Sequence, residues 1–385
     1  MELLLYLYIL IVVYLFLKYS RIRTLYIFSP YILIYLNFIF NDAIPFLFFY
    51  PDVPENIQYT TFTAAIINLS FLFLFRKQAQ VPISINLPLS SIKLNKKRKI
   101  LLSCFVFFLL WAGVMSGVLI NLLRGNNIED LRRTSEIGVG VIRDIPMLGI
   151  QIIMLVLFLQ KTWKCYYKVV AFYSFCLSVF LFLTTGNKGG VLVGVTLFLL
   201  FFHLKKRGFK WYEYVLYYLA MPLAAGTLQG IRGGDLTLIA SQIAVFFSYP
   251  VILYQANSIP IMNAVGTENF FWGEEYYTGL VKFIPRFLWP DKPLSFDYKL
   301  KELANYDFEG GGIYTTLCND LYINFGYYYF IFYILWLLFI HYLYGMVMDD
   351  KRFYYSRIIA LFIILMGGLH LLLALVKSYY YFSCS

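Results

Sequence analysis

The chain has 385 residues, of which 61% are hydrophobic and only 14% charged, with a formal net charge of +11. Soluble domains carry about 25% charged residues, so composition excludes an ordinary soluble enzyme. The basic balance does not point to nucleic acid either, because no basic helix or stacking platform sits in a soluble segment.

Apolar runs near the length needed to cross a hydrocarbon core, about 20 residues, recur from one end of the chain to the other. In chain order they predict helices at Leu3–Leu17, Thr24–Phe40, Tyr59–Phe75, Ile100–Ile120, Ile145–Leu159, Val169–Thr184, Gly190–His203, Tyr214–Thr227, Tyr322–Met348 and Ile358–Lys377. No small-residue cleavage site follows the first run, which is therefore read as a retained span. Aromatics reach 21%, and part of that enrichment suits membrane interfaces. The five cysteines, Cys104, Cys165, Cys176, Cys318 and Cys384, have no metal-ligand or redox spacing. His203, His341 and His370 each lie in or at the end of an apolar run. No disulfide framework, metal centre or cofactor is expected.

Positive charge sets the orientation. Lys18–Arg23, Arg76–Lys99, Lys161–Lys168 and Lys205–Lys210 are basic, and Asp349–Arg357 weakly so. They alternate with Asn41–Gln58, which has acids and no bases, and with the balanced segment Asn121–Asp144. The basic set is assigned to the cytoplasm, where it meets anionic lipid. This order puts Arg232 and the segment before Tyr322 on the same outer side. Leu236–Ala256, an apolar run interrupted by Ser241, Gln242, Ser248 and Pro250, is then predicted to re-enter or lie flat. The alternative is a full span there and an error elsewhere. The expected architecture is an all-α, polytopic transmembrane bundle of about ten spans. It forms one integral membrane domain over residues 1–385, with outer loops at 121–144 and 256–321.

Polar chemistry gathers at the outer ends of the spans. Thr184-Thr-Gly-Asn-Lys-Gly-Gly190 leads into a helix N-terminus, where glycines and free N–H groups suit a phosphate and Lys188 adds charge. Alone, it also reads as a tight polar turn. In Gln229-Gly-Ile-Arg-Gly-Gly-Asp235, Arg232 either snorkels to water or grips a phosphate through two N–H groups. The flanking glycines favour the second. Lys282-Phe-Ile-Pro-Arg-Phe-Leu-Trp-Pro-Asp-Lys-Pro293 is held non-helical by three prolines and carries Arg286, Trp289 and Lys292. Gly310-Gly-Gly-Ile-Tyr-Thr-Thr-Leu-Cys-Asn-Asp-Leu-Tyr-Ile-Asn-Phe-Gly326 looks like a hinge before a helix on which Asp320 and Asn324 share a face. Its bland reading is a solvated helix entrance. Arg124, Arg132, Arg133 and Arg143 in the first outer loop are each balanced by a nearby acid. Cations held at outer helix ends suggest a lipid-linked anion whose phosphates lie at the interface.

These strings resemble the Wzy-type oligosaccharide repeat-unit polymerases of O-antigen and capsule assembly. The resemblance spans the hydropathy profile and is sharpest in Thr-Gly-Asn-Lys-Gly, Ile-Arg-Gly-Gly, the proline-rich string, and Gly-Gly-Ile followed by Tyr-Ile-Asn-Phe-Gly. Lys188 and Asp320 stand where the family usually has Arg and Glu. The resemblance implies a metal-independent membrane glycosyltransferase with a GT-C-like helical fold, multi-pass in a bacterial cytoplasmic (inner) membrane, with its site on the outer face. It would move a growing glycan from undecaprenyl diphosphate onto the non-reducing end of a new lipid-linked unit. Arg232 and Arg286 would bind the donor diphosphate, with Lys188 or Lys292 in support. Arg286 and Asp320 are the catalytic candidates, and Trp289, Tyr322 and Asn324 the glycan-binding ones. Implied partners are the lipid-linked oligosaccharide, membrane lipids, a chain-length regulator and a flippase. An O-antigen ligase is the close enzyme alternative, and a flippase or other transporter the distant one.

Overall fold

Prolines and buried polar side chains shape the helices more than the apolar runs do. The structure, a computed structural model, describes residues 2–20, 34–35, 37–75, 101–106, 108, 169, 173, 251, 254–281, 284, 288–289, 291–293, 296–306 and 315–348. Contacts divide the chain into two units, Met1–Ser84 with Phe247–Ser385, and Ile85–Phe246. In the second, residues 101–106 are helical, with Leu102 and Val106 buried four positions apart. All other elements below belong to the first. Among the described residues every regular element is a helix and there is no strand.

Helix α1 (Glu2–Ser20) buries Leu5, Tyr8 and Val12 at helical spacing and exposes Leu3, Leu7, Leu10 and Tyr14. It is apolar on both faces, as a helix with an apolar surround must be. Residues 37–38 run into a π-helical turn, Ile39–Ala43, and then α2 (Ile44–Phe49). The sequence predicts an outer loop from Asn41. The helix continues instead because Pro45 falls in the first turn of α2, where its missing N–H is not needed. The same device recurs later: the π turn Tyr254–Ser258 precedes α4 (Ile259–Val265), with Pro260 at its start.

Helix α3 (Glu55–Leu74) follows Pro54, with Glu55 at the favourable end of the helix dipole. It buries Ile57, Thr60, Thr61, Ala64, Ala65, Asn68, Phe71 and Leu72. It starts before the predicted Tyr59 because its first turn is polar. Helices α5 (Glu274–Val281) and α6 (Phe296–Leu303) follow, then α7 (Leu317–Phe325), a 3-10 turn at Gly326–Tyr328, and α8 (Tyr329–Met348). The predicted start at Tyr322 moves back to Leu317 because the Thr316 side chain caps the helix, accepting from the Asn319 N–H at 3.3 Å. Helix α3 and the run Leu317–Met346 are long and apolar enough to cross a membrane. The 20 residues of α8 rise about 30 Å, the thickness of a hydrocarbon core.

Helices α3 and α8 lie parallel. The Tyr329 hydroxyl donates to the Thr60 carbonyl at 2.7 Å, the Tyr333 hydroxyl to Asn68 Oδ1 at 2.9 Å, and the His341 ring lies 4.0 Å from that of Phe75. Ala64 and Ala65, both fully buried, are small enough to let a neighbouring backbone approach. The predicted spans Ile145–Leu159, Val169–Thr184, Gly190–His203, Tyr214–Thr227 and Ile358–Lys377 lie wholly or almost wholly outside the described residues, as do most of Thr24–Phe40, Ile100–Ile120 and Leu236–Ala256.

Gly326 closes α7 with φ +58°, and a Cβ there would sit 2.6 Å from the Phe270 ring. Gly326→Ala is expected to cost about 2 kcal/mol or more from backbone strain and the clash. Gly345→Ala, with nothing within 4 Å of its Cβ, should be neutral or stabilising by up to about 1 kcal/mol. Thermal unfolding of both variants in one detergent checks the contrast.

Candidate functional site

The surroundings of α7 form the best-defined polar corner among the described residues. Thr316 caps the helix, so Asp320 stands in its first turn and Asn324 one turn on. The Asn324 amide donates to Glu275 Oε2 at 2.6 Å and to the Asp320 main-chain carbonyl at 2.9 Å. It is fully buried, so a charge-assisted bond here is among the stronger ones available. Beside it, Tyr276 and Phe325 stack at 5.8 Å, and Phe325 and Phe332 at 3.6 Å. Burial, then the charges of Asp320 and Glu275, push the Tyr276 phenol above its ordinary value. Asp320, Glu275 and Tyr276 therefore share one neighbourhood.

Helix α5 is the common neighbour that builds this corner. The Phe271 N–H donates to the Ile323 carbonyl at 3.1 Å, fastening the entry of α5 to α7. Lys299 pairs with Glu274, and the Phe271 and Phe296 rings meet edge-on at 4.9 Å, fastening α6 to the same place. The proline-rich segment leaves α5 and returns through α6, so its two ends are held together. Its described residues, 284, 288–289 and 291–293, are non-helical, as three prolines require. Within it Lys292 Nζ donates to the Ile284 carbonyl at 2.9 Å, and the Lys292 N–H to the Trp289 carbonyl at 3.2 Å. Trp289 is half-buried on this turn.

Of the residues predicted from sequence, Asp320 and Asn324 are brought together, while Trp289 and Lys292 sit on their own turn. Arg286, Arg232 and Lys188 lie outside the described residues, as does the glycine run before α7. Tyr322 is fully buried, and its ring lies edge-on to Tyr59, Phe270 and Tyr327. Its hydroxyl donates to the Gly266 carbonyl at 3.2 Å. Its place is in the packing beneath the corner rather than on a face open to a glycan.

Sequence reasoning missed Glu275, Tyr276 and Trp272. Trp272 is 67% exposed and has φ +49°, a conformation uncommon for a non-glycine residue. Phe271 and Glu274 brace it on either side through their backbone bonds. Backbone strain of this kind costs about 1–3 kcal/mol, and it holds the indole out from the surface. The signal was present: Trp-Gly-Glu-Glu-Tyr-Tyr is rich in aromatics and acids at a helix start. It carries no cation, so it does not read as an anion site. Among the described residues no three His, Cys, Asp or Glu side chains gather as metal ligands.

Asn324→Leu removes the donor to Glu275 and should cost about 1.5–3 kcal/mol. Asp320→Asn leaves that bond intact, because Asn324 uses the main chain of residue 320 and not its carboxylate. Unfolding midpoints of the two variants test the distinction. Comparison with protein-family models, with curated proteins and with solved structures finds no match.

Proposed function

We propose that the chain is a membrane glycosyltransferase that polymerises lipid-linked oligosaccharide units at the outer face of a bacterial cytoplasmic membrane, in a polytopic bundle of about ten spans and GT-C-like plan. The observation that carries this reading is the α5 corner. One short helix fastens the two ends of the proline-rich segment and, through Glu275, holds the turn that carries Asp320. A stiff segment with a cation sequence and a carboxylate at the mouth of an apolar helix suit an enzyme whose donor has a buried lipid and an exposed diphosphate sugar.

Topology supports the same reading. With cytoplasmic basic loops, α3 and α8 should both run from outside to inside, and their contacts advance in the same direction. Parallel spans require an odd number of crossings between them. Five predicted spans lie between α3 and α8, so the count works if Leu236–Ala256 re-enters and fails if it crosses.

In the proposed reaction an acceptor hydroxyl attacks the donor's anomeric carbon. The bond from that carbon to the diphosphate oxygen breaks, and the bonding pair leaves with the carrier diphosphate. Arg232 and Arg286 neutralise the charge that develops there, with Lys188 and Lys292 in support. Asp320 orients the acceptor hydroxyl and takes its proton. Trp272 and Trp289 offer the faces on which sugar rings stack.

Purified protein in nanodiscs, given a defined undecaprenyl-diphosphate-linked repeat unit, should build a ladder of longer products. Arg286→Ala and Arg232→Ala should each lower the rate by about 100-fold or more while the protein stays folded. A normal ladder from either variant sinks the assignment. Transfer of finished polymer to a different acceptor identifies a ligase, and movement of intact substrate without a ladder identifies a transporter. Trp272→Ala should raise KM about two- to tenfold, the worth of one aromatic stack, with kcat unchanged.

A further inference from the structure

Helix α5 is built inside-out. Its sequence, Glu-Glu-Tyr-Tyr-Thr-Gly-Leu-Val, contains two acids and no base. The acids turn toward the protein: Glu274 pairs with Lys299 of α6, and Glu275 accepts from the Asn324 amide of α7. Thr278 is buried, and its hydroxyl donates to the Glu275 carbonyl at 2.9 Å. The large side chains turn away. Leu280 is 77% exposed, against 31% for the Glu274 side chain, and Tyr276 and Tyr277 are exposed with it. Ile284, folded back by an N–H bond to the Val281 carbonyl at 3.0 Å, and Leu288 are exposed just beyond the helix.

A helix facing water has the opposite polarity, with apolar side chains packed and charges outside. A row of exposed aromatic and aliphatic side chains is a surface that an apolar partner covers. Three observations favour a lipid bilayer. The face is continuous with α8: the Tyr276 ring stacks on Phe325 at 5.8 Å and Phe325 on Phe332 at 3.6 Å, and Phe332 is exposed with Ile331 in the first turn of that membrane-length helix. Tyr327 and Tyr328 are exposed at the same end, and tyrosines collect where a span meets the headgroups. The helix is also short. Its 8 residues rise about 12 Å, too little to cross a hydrocarbon core of about 30 Å, so α5 suits the bilayer surface and not a span. With no base on it, α5 offers nothing to a polyanion, and its hold is apolar and aromatic.

We propose that α5 is a membrane-surface helix, with Tyr277 and Leu280 seated at the boundary between headgroups and acyl chains in the leaflet that meets the start of α8. This inference rests on the membrane placement of α8 in the reading above, and not on the chemistry of that reading. Interfacial helices bury an apolar face about 5–10 Å into that boundary. Tyrosine suits the depth, since its ring is apolar and its hydroxyl reaches toward water. The seat has a consequence for the corner behind it. The helix that rests on lipid by one face holds Asn324 and Lys299 by the other. The bilayer surface is then the floor against which the Asp320 turn and the proline-rich segment are held.

The test uses the full-length protein in phosphatidylcholine nanodiscs, carrying one fluorescent side chain through Leu280→dansylalanine or Tyr277→dansylalanine. Two exposed positions serve as references: Leu338→dansylalanine near the middle of α8, and Glu302→dansylalanine on α6. Quenching is read with lipids that carry a nitroxide high or low on the acyl chain, and with aqueous iodide. At Leu280 and Tyr277 the high nitroxide should quench about twofold or more better than the low one, and iodide weakly. Leu338 should show the reverse order of the two lipids, and Glu302 should respond to iodide alone. Strong iodide quenching at both α5 positions with none from lipid puts the face in water and overturns the proposal. Quenching by neither means that protein covers the face, and stronger quenching by the low nitroxide means that α5 lies in the core; each overturns it as well. If Leu338 escapes both lipids, the membrane reading fails and takes the proposal with it. If Leu338 behaves as expected and the α5 positions do not, this inference alone falls.

Discussion

The first unit depends on hydrogen bonds made where water cannot substitute for them. Thr60, Asn68 and Asn56 on α3 are buried, and each is bonded to a different neighbour: Thr60 to Tyr329 and Asn319, Asn68 to Tyr333, and Asn56 to the Met262 carbonyl of α4. Apolar packing alone leaves two membrane helices free to slide and rotate, since lipid tails are as apolar as the partner. Each bond of this kind contributes only about 0.5–2 kcal/mol, but a slip of one turn would break several at once. Register therefore comes from a few amides and hydroxyls, and everything that α7 and α8 carry is positioned by it.

From that register the rest follows by short links. Helix α7 is locked to α3 through Asn319, so its outer face points to a fixed place. Asn324 on that face takes hold of Glu275, and α5 in turn anchors α6 through Glu274 and Phe271. The proline-rich segment inherits its anchorage from this chain of contacts, not from contacts of its own. The Lys299–Glu274 pair is partly exposed and contributes little on its own. The buried Asn324 amide and the stacked rings of Tyr276, Phe325 and Phe332 matter more.

Among the described residues the helices were legible where apolar runs and prolines announce themselves. The two long helices, the non-helical proline segment and the shared face of Asp320 and Asn324 follow from residue spacing. Boundaries moved wherever the first turn of a helix was polar, as at Glu55 and Leu317, since a hydropathy run cannot include such a turn. Asp42 was read as one acid of an outer loop. It is buried beside Cys318, Tyr333 and Trp336, which come from a distant part of the chain, and no local pattern encodes that meeting. Glu275 was hidden for the same reason: its partner lies 49 positions away. The resemblance offers Tyr322 as a glycan-binding residue, yet its ring belongs to an aromatic cluster whose members are scattered from Tyr59 to Tyr329.

The outward row of α8 has one more implication. Ile331, Leu335, Leu338, Phe339 and Tyr342 are exposed along its length, and the helix behind them is about as long as an average bilayer is thick. Because α8 is clasped to α3 by side-chain bonds, it cannot shed excess length by tilting independently. A thinner membrane would have to swell around the pair, or the two helices would have to lean together, at a fraction of a kcal/mol per ångström. Acyl-chain length in a surrounding lipid would thus act on the α3–α8 pair as a unit, and through α7 on the height of Asp320.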